Sequence, residues 1–583
     1  WLPGSLFGGS ACAAPTEDQI ADQAESTQND FNSENPSQSE GNTSPSTTMA
    51  AAAAGALSLN DIDVDAIALI SESTIKLSGA LIVSARDNSE IDVDAGAGAL
   101  SVNLAKSSSS GAASIGFSVA INEIDNDVSA LIKDPVGDII VGENIILDAE
   151  SRTKIENIAV SGSASVTNNS DGKTVSIAGV VSWSDNLIDN DIETGIVNSS
   201  DQKINVHSAG YISIEARDNA TIKVDAGGIA IGLAKGSGFT GSAAVGASVA
   251  NNEIDNSTKA YAQNVNLTST ASELEYLTSS SGKKSLQLGD IVKVSSDHSA
   301  GGTVGGYYRY ISFVEDLDIN YKELDSYTYN LIEPPQFDLS TENFSKTSRW
   351  LDITDEVTKQ DGQALGILIS STNSSTIDSL SISGTAAASK SSDGTSLTLS
   401  LAGAFAYNTI KGETLAYSTG GDISSASGLA VNAADTSKIN ADAGGVALAA
   451  SMGKSSGALS VGFSESRNNI GTDTERHTVL AYISDSELIQ AERIDIEANA
   501  ASTIEALSFS GALAATSGKD GAAGSFTGSG AASYNKIYSN VESYIENGQN
   551  VQSTGDINIK VEDSSSIDAN AIGASVALSS SSG

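Results

Sequence analysis

One feature constrains this chain more than any other: the tripeptide Asn-x-Ile closes an apolar run seven times at nearly constant spacing. It stands at Asn60, Asn122, Asn186, Asn252, Asn408, Asn468 and Asn535, with intervals of 62, 64, 66, 156, 60 and 67 residues. A period of this length belongs to architectures whose single unit cannot bury its own apolar face, so that units must stack on one another. The 156-residue interval is too long by roughly 92 residues, which marks an insertion between two otherwise regular repeats.

Two half-units alternate within each repeat. The first is IVSARDNSEIDVDAGAGALSVNLA, beginning at Ile82, and its cognate ISIEARDNATIKVDAGGIAIGLA, beginning at Ile212. The second is GAASIGFSVAINEIDNDVSALI, beginning at Gly111, and GSAAVGASVANNEIDNSTKAYA, beginning at Gly241. Ser/Gly loops join them, so a repeat reads as short strand, long strand, loop, long strand, turn, short strand. Apolar residues recur with period two, which indicates strands. Ile115, Phe117, Val119 and Ile121 share one face, and Ile124 falls on the other parity, so a turn or bulge is expected at Asn122-Glu123. In the first half-unit Ile91 and Val93 have one parity and Leu100, Val102 and Leu104 the other, which predicts a strand that changes its buried face midway. The repeat strands contain no proline, as heavily paired strands require.

These observations predict an all-β fold: an elongated β-solenoid, parallel β-helix-like, of about 62–67-residue repeats with one inserted small β module. An antiparallel meander with the same repeat stays open, because periodicity does not encode strand direction. Asn in equivalent positions of stacked coils would form a ladder of side-chain amides about 4.8 Å apart; alternatively Asn merely suits a turn.

Composition sharpens the division into segments. Residues 1–14 end in an Ala-Cys-Ala pattern, read as a possible signal remnant or as N-terminal coil. Residues 15–48, acidic and rich in Ser, Thr, Asn and Gln, read as a disordered linker. Repeats follow over 49–270 and 363–583, the last stopping mid-repeat, which suggests an excerpt of a longer array or a subunit joining head to tail. The insertion, 271–362, gathers Tyr307, Tyr308, Tyr310, Phe313, Tyr321, Tyr327, Tyr329, Phe337, Phe344 and Trp350, enough aromatic surface for a small core of its own. The formal net charge of −43 excludes nucleic acid as a partner and disfavours anionic membranes, while attracting divalent cations. Cys12 is the single cysteine, so no disulfide forms within the chain, and no apolar run is long enough for a transmembrane helix.

Candidate sites are few. Asp61, Asp63, Asp65, Asp125, Asp127, Asp189, Asp191 and Asp255 cluster beside the Asn-x-Ile tripeptides and are hard oxygen ligands suited to calcium, the one cofactor the sequence suggests; solvated acidic turns are the plainer alternative. Tyr307, Tyr308, Tyr310 and Trp350 could present flat faces to sugars, or else be core. The histidines His207, His298 and His477 are scattered, and no nucleophilic triad or phosphate-binding glycine loop is spelled out. A paired-carboxylate site acting on polysaccharide is the remaining catalytic alternative, and the chain is read as not an enzyme.

The runs VDAGAGALSVNLA and IGFSVAINEIDNDVSALI and the closing Ala481-Tyr482-Ile483 resemble giant repetitive proteins of bacteria, the secreted or surface-attached adhesin-like and haemagglutinin-like chains. Within the insertion, Gly289 to Val294, Gly305 to Tyr310 and Asn343 to Trp350 are similar to a small module that interrupts such arrays. The resemblance covers about residues 49–583. It implies an extracellular or cell-surface setting, an adhesive or structural stalk, and cell-surface or matrix glycans or other copies of the chain as partners. A head-to-tail filament subunit is the runner-up reading. No catalytic residues carry over.

Overall fold

A computed structural model describes residues 47–200, 202–271, 276–286, 290–310, 336–346, 349–354 and 365–582. The N-terminal segment, the linker up to residue 46, and Phe313, Tyr321, Tyr327 and Tyr329 lie outside the described residues. The first strand begins at Thr47, two residues inside the segment read as linker.

Seven coils stack to form an all-β parallel solenoid. Each coil contributes one strand to each of four sheets, except that in the sixth and seventh coils the long strand is split in two, as at Ser455–Ile470 and His477–Ser484. The long sheet takes strands such as Ser109–Lys133, Lys173–Val197 and Thr395–Thr419, 25 residues each. A corner sheet takes two to five residues per coil, as at Ile139–Val141 and Ile204–Ser208. A narrow sheet takes strands such as Leu81–Asp87 and Ile145–Ser151, and a facing sheet takes 16-residue strands such as Glu90–Ala105 and Lys154–Asn169. Every ladder between coils is parallel, and all are in register apart from one shift at Leu365/Ile367, where the chain returns from the insertion; strand direction is thereby settled. The turn from the long sheet to the corner sheet passes through the left-handed region in six of the seven coils, at Glu72, Asp134, Asn264, Gly420, Asp485 and Asn547. All but Glu72 are residue types that tolerate positive φ.

The cross-section has two lobes. In the wide lobe the C-terminal half of the long strand closes a triangle with the corner and narrow sheets, around Val128, Ala130, Ile132, Ile139, Val141, Ile145 and Leu147 and their equivalents. Toward the other lobe, Ile124 and the matching isoleucine of each coil meet Ile91, Ile155, Ile222, Ile377, Ile439 and Ile504 of the facing sheet. The thin lobe is the remainder of the long and facing sheets, laid directly on each other.

Two expectations fail in the thin lobe, for one reason. The long strand runs unbroken through Asn122-Glu123 with no turn or bulge, and the facing strand does not change its buried face. Ser114, Gly116, Ser118 and Ala120 point inward, and Ile115 and Phe117 outward. Likewise Ala99, Ser101 and Asn103 are buried while Leu100, Val102 and Leu104 are exposed. The two backbones approach so closely that only small side chains fit between them. A Cβ on Gly116 would lie 2.6 Å from the Gly162 carbonyl oxygen, and one on Gly462 2.3 Å from that of Gly511. Serine hydroxyls bridge the gap, Ser118 donating to the Ala95 carbonyl (2.7 Å) and Ser248 to that of Ala226 (2.8 Å). The lobe is therefore inverted, small and polar within and large and apolar without.

The chain leaves the fourth coil after Ser269 and rejoins it at Leu365. The intervening residues form their own small sheets, including Ile291–Lys293, Tyr307–Tyr310 and Trp350–Asp352.

Candidate functional site

The seven asparagines point inward from the long sheet, at mid-strand in the first five coils and near the strand end at Asn468 and Asn535, and form a continuous chain of side-chain hydrogen bonds. Asn60 donates to Asn122, and so on through Asn186, Asn252, Asn408 and Asn468 to Asn535, at 2.7 to 2.8 Å. Each amide thus uses one N–H and its carbonyl along the axis, satisfying groups that could not otherwise be buried. The bond from Asn252 to Asn408 spans the insertion without lengthening.

A second buried polar layer separates the two apolar cores. Asn126 donates to Asp87 (2.8 Å), Asn190 to Asp218 (3.2 Å) and Asn373 to Asp435 (2.6 Å). Burial pushes the Asp218 carboxyl up to about 7, against hydrogen bonds from Asn256, Asn190 and Ser375 that pull it down. In coil six His477 takes the asparagine's place, its Nε2 2.9 Å from Asp435 Oδ2 with both side chains out of solvent. Burial alone would lower the histidine and raise the acid, but their mutual attraction outweighs it, so His477 titrates above and Asp435 below the ordinary range. Neither layer opens to solvent, and both are structural.

The acidic residues stand on the outer face of the long sheet. Asp63, Asp125, Asp189 and Asp255 occupy one column and Asp65, Asp127 and Asp191 the next, one per coil. Like charge is concentrated there: burial, then Asp255 and Asp125, lifts Asp189 to about 6. Lys411 ends the first column, its Nζ 2.7 Å from Asp255 and 3.1 Å from Glu253. Side chains on parallel rungs point side by side and form a flat array. Among the described residues no group of three or more His, Cys, Asp or Glu side chains converges on a point where a metal could sit.

The aromatic platform is overturned. Tyr307, Tyr308, Tyr310 and Trp350 are all buried. Trp350 packs on Phe344 and Tyr310, with ring centroids 4.7 and 5.5 Å apart, and Tyr308 on Phe344 at 5.6 Å. A module this small needs its largest rings for its own core. It is clasped to the solenoid by Arg309, whose guanidinium pairs with Glu215 and lies over the Tyr211 ring. Glu215 in turn pairs with Arg217 (3.1 Å), which reaches Asp148 and Glu150, and Arg86 pairs with Asp148 at 3.0 Å. This charged network, on the outer face of the narrow sheet, has no signature in the sequence.

Two further features escaped the sequence reading. Tyr261, Tyr417, Tyr482 and Tyr544 form an outer column of stacked rings, 5.2, 5.0 and 4.9 Å apart and within 10° of parallel. Their intervals of 156, 65 and 62 residues follow the same repeat as the asparagines and would have revealed them. Gly195 precedes them in the column, and a Cβ there would lie 3.1 Å from the Tyr261 ring. The second feature is the outer surface of the thin lobe. Residues 49–57, 111–119, 175–183, 241–249, 397–405, 457–465 and 524–532 are in register, and each segment turns five side chains outward. All of these are Gly, Ala or larger apolar residues except Glu465, which is engaged by Arg467. Ile115, Phe117, Ile177 and Val245 are each more than two-fifths exposed. A shallow groove of about 790 Å³ crosses the patch, lined by Val175, Ile177, Phe239, Leu397, Leu399 and Phe526 among others. No helix among the described residues is long and apolar enough to cross a membrane. No family model, no curated protein and no solved structure matches this chain.

Proposed function

We propose that the chain is part of a structural or adhesive stalk on the outside of a bacterial cell. The observation that carries this reading is the register-locked stack, in which each coil is tied to the next by four parallel ladders and by the asparagine chain. Such a stack supplies length and surface, and a pocket is incidental to it. The acidic outer face, the single cysteine and the resemblance to repetitive surface proteins support an extracellular setting. Cell-surface or matrix glycans are the proposed partners, and calcium enters as a counter-ion of the carboxylate columns, without a cage. The filament reading shares this architecture and differs only in its partner, another copy in place of a glycan.

The test is to couple the chain to beads and expose them to surface and matrix polysaccharides. Retention of the beads without release of reducing ends is expected. Release of reducing ends overturns the reading in favour of a polysaccharide-acting enzyme, and absence of retention removes adhesion.

A further inference from the structure

The geometry points to lateral pairing of two copies of this chain through the apolar outer face of the long sheet in the thin lobe, about a two-fold axis parallel to the stack. This inference stands on the surface alone and does not need the stalk reading.

Four observations lead to a second copy as the occupant. The patch spans eight residue steps along the strand and six rung spacings across it, about 26 Å by about 29 Å, or roughly 750 Å². A stable interface of ordinary size takes about 800 Å² from each partner, close to the area of the patch. An apolar face of this extent on a chain carrying −43 charges demands a cover. Its strands repeat at the rung spacing, and only a partner with the same rung spacing stays in step over seven coils. A second copy has it by construction.

The charge pattern selects the symmetry. Acidic columns flank the patch on one side only, Asp61, Glu123 and Glu253 four residues beyond its edge and the columns of Asp63 and Asp65 after them. A two-fold axis along the strands would lay one copy's carboxylates on the other's. An axis along the stack sends the two acidic borders to opposite edges, so the patches meet without like-charge contact. That axis also reverses strand direction between copies and keeps the coils level. With the column of Ile115 and Val245 on the axis, each residue of that column meets its own equivalent. In the second and seventh coils large side chains then oppose small ones, Phe117 facing Ala113 and Phe526 facing Gly530 of the second copy, whereas Ile177 meets Val181 and Leu459 meets Phe463.

The test uses the full chain with Cys12→Ser. Sedimentation is expected to give twice the 59.1 kDa chain mass at high micromolar concentration. The double variant Ile115→Glu/Val245→Glu is expected to sediment as a monomer with an unchanged thermal melt. Because a failed fold would also abolish pairing, a second arm introduces a single cysteine. Under mild oxidation Val245→Cys is expected to give a covalent dimer, and Ile67→Cys, 60% exposed beyond the acidic border, is expected to stay monomeric. A parent chain that is monomeric at all concentrations overturns the inference. So does equal cross-linking of both cysteine variants, or a monomer that is captured by zwitterionic lipid vesicles.

Discussion

Asn186→Ala tests the internal ladder at its most committed point. Asn186 is buried; it receives the Asn122 amide at 2.7 Å and donates to Asn252 at 2.8 Å and to Ser184 at 2.9 Å. Truncation strands the Asn122 N–H and the Asn252 carbonyl, both on buried side chains. Each buried orphan costs about 1–3 kcal/mol, so the loss is about 4 kcal/mol. Asn60→Ala makes the same chemical change in the first coil, where the side chain is half-buried and only one ladder partner, Asn122, is lost along with the local bond to Ser58. There the cost is about 1 kcal/mol. Stacked arrays need not unfold as a single unit. The assay is therefore amide hydrogen exchange resolved by coil, alongside urea unfolding followed by circular dichroism. Asn186→Ala is expected to deprotect the second to fourth coils selectively and to lower the unfolding midpoint several times more than Asn60→Ala. Equal shifts from the two variants would mean that the amides solvate themselves in some other way, and the ladder argument would be refuted.

Three further outcomes follow from the geometry. Asp189 titrates near 6, above the unfolded value, so stability falls as pH rises from about 4 through 6; Asp189→Asn should flatten that slope and raise the melting temperature at pH 7. Gly462→Ala drives a methyl group into the Gly511 backbone and should cost about 1–3 kcal/mol, whereas Gly55→Ala meets only the movable Phe117 ring and should cost much less; paired urea titrations compare them. Arg309→Ala leaves Glu215 buried with its clasp removed, and limited proteolysis should then release the inserted module between Ser269 and Leu365 while the coils persist.

The asparagine period made the coils, their register and the insertion legible in the sequence, because a ladder needs the same residue once per turn. Which side of each strand is buried was not legible. Alternation separates Phe117 from Ser118 but does not say which of them faces inward, and the habit of placing Phe inside fails where two backbones nearly touch. The fate of the aromatic residues follows the same logic: Trp350 and Tyr310 have the shape of a sugar platform, but the module has no other material for a core. Arg309 and Glu215 are 94 residues apart, and nothing in their local sequence announces that they meet.

The hydrogen bond from Asn252 to Asn408 has a wider meaning. It is as short as its neighbours although the connecting chain is more than twice as long. The rail is therefore indifferent to what hangs between two successive sleepers, provided the detour starts and finishes at the same corner. A chain built this way can acquire, exchange or discard passengers one at a time, and the track beneath them need not be relaid.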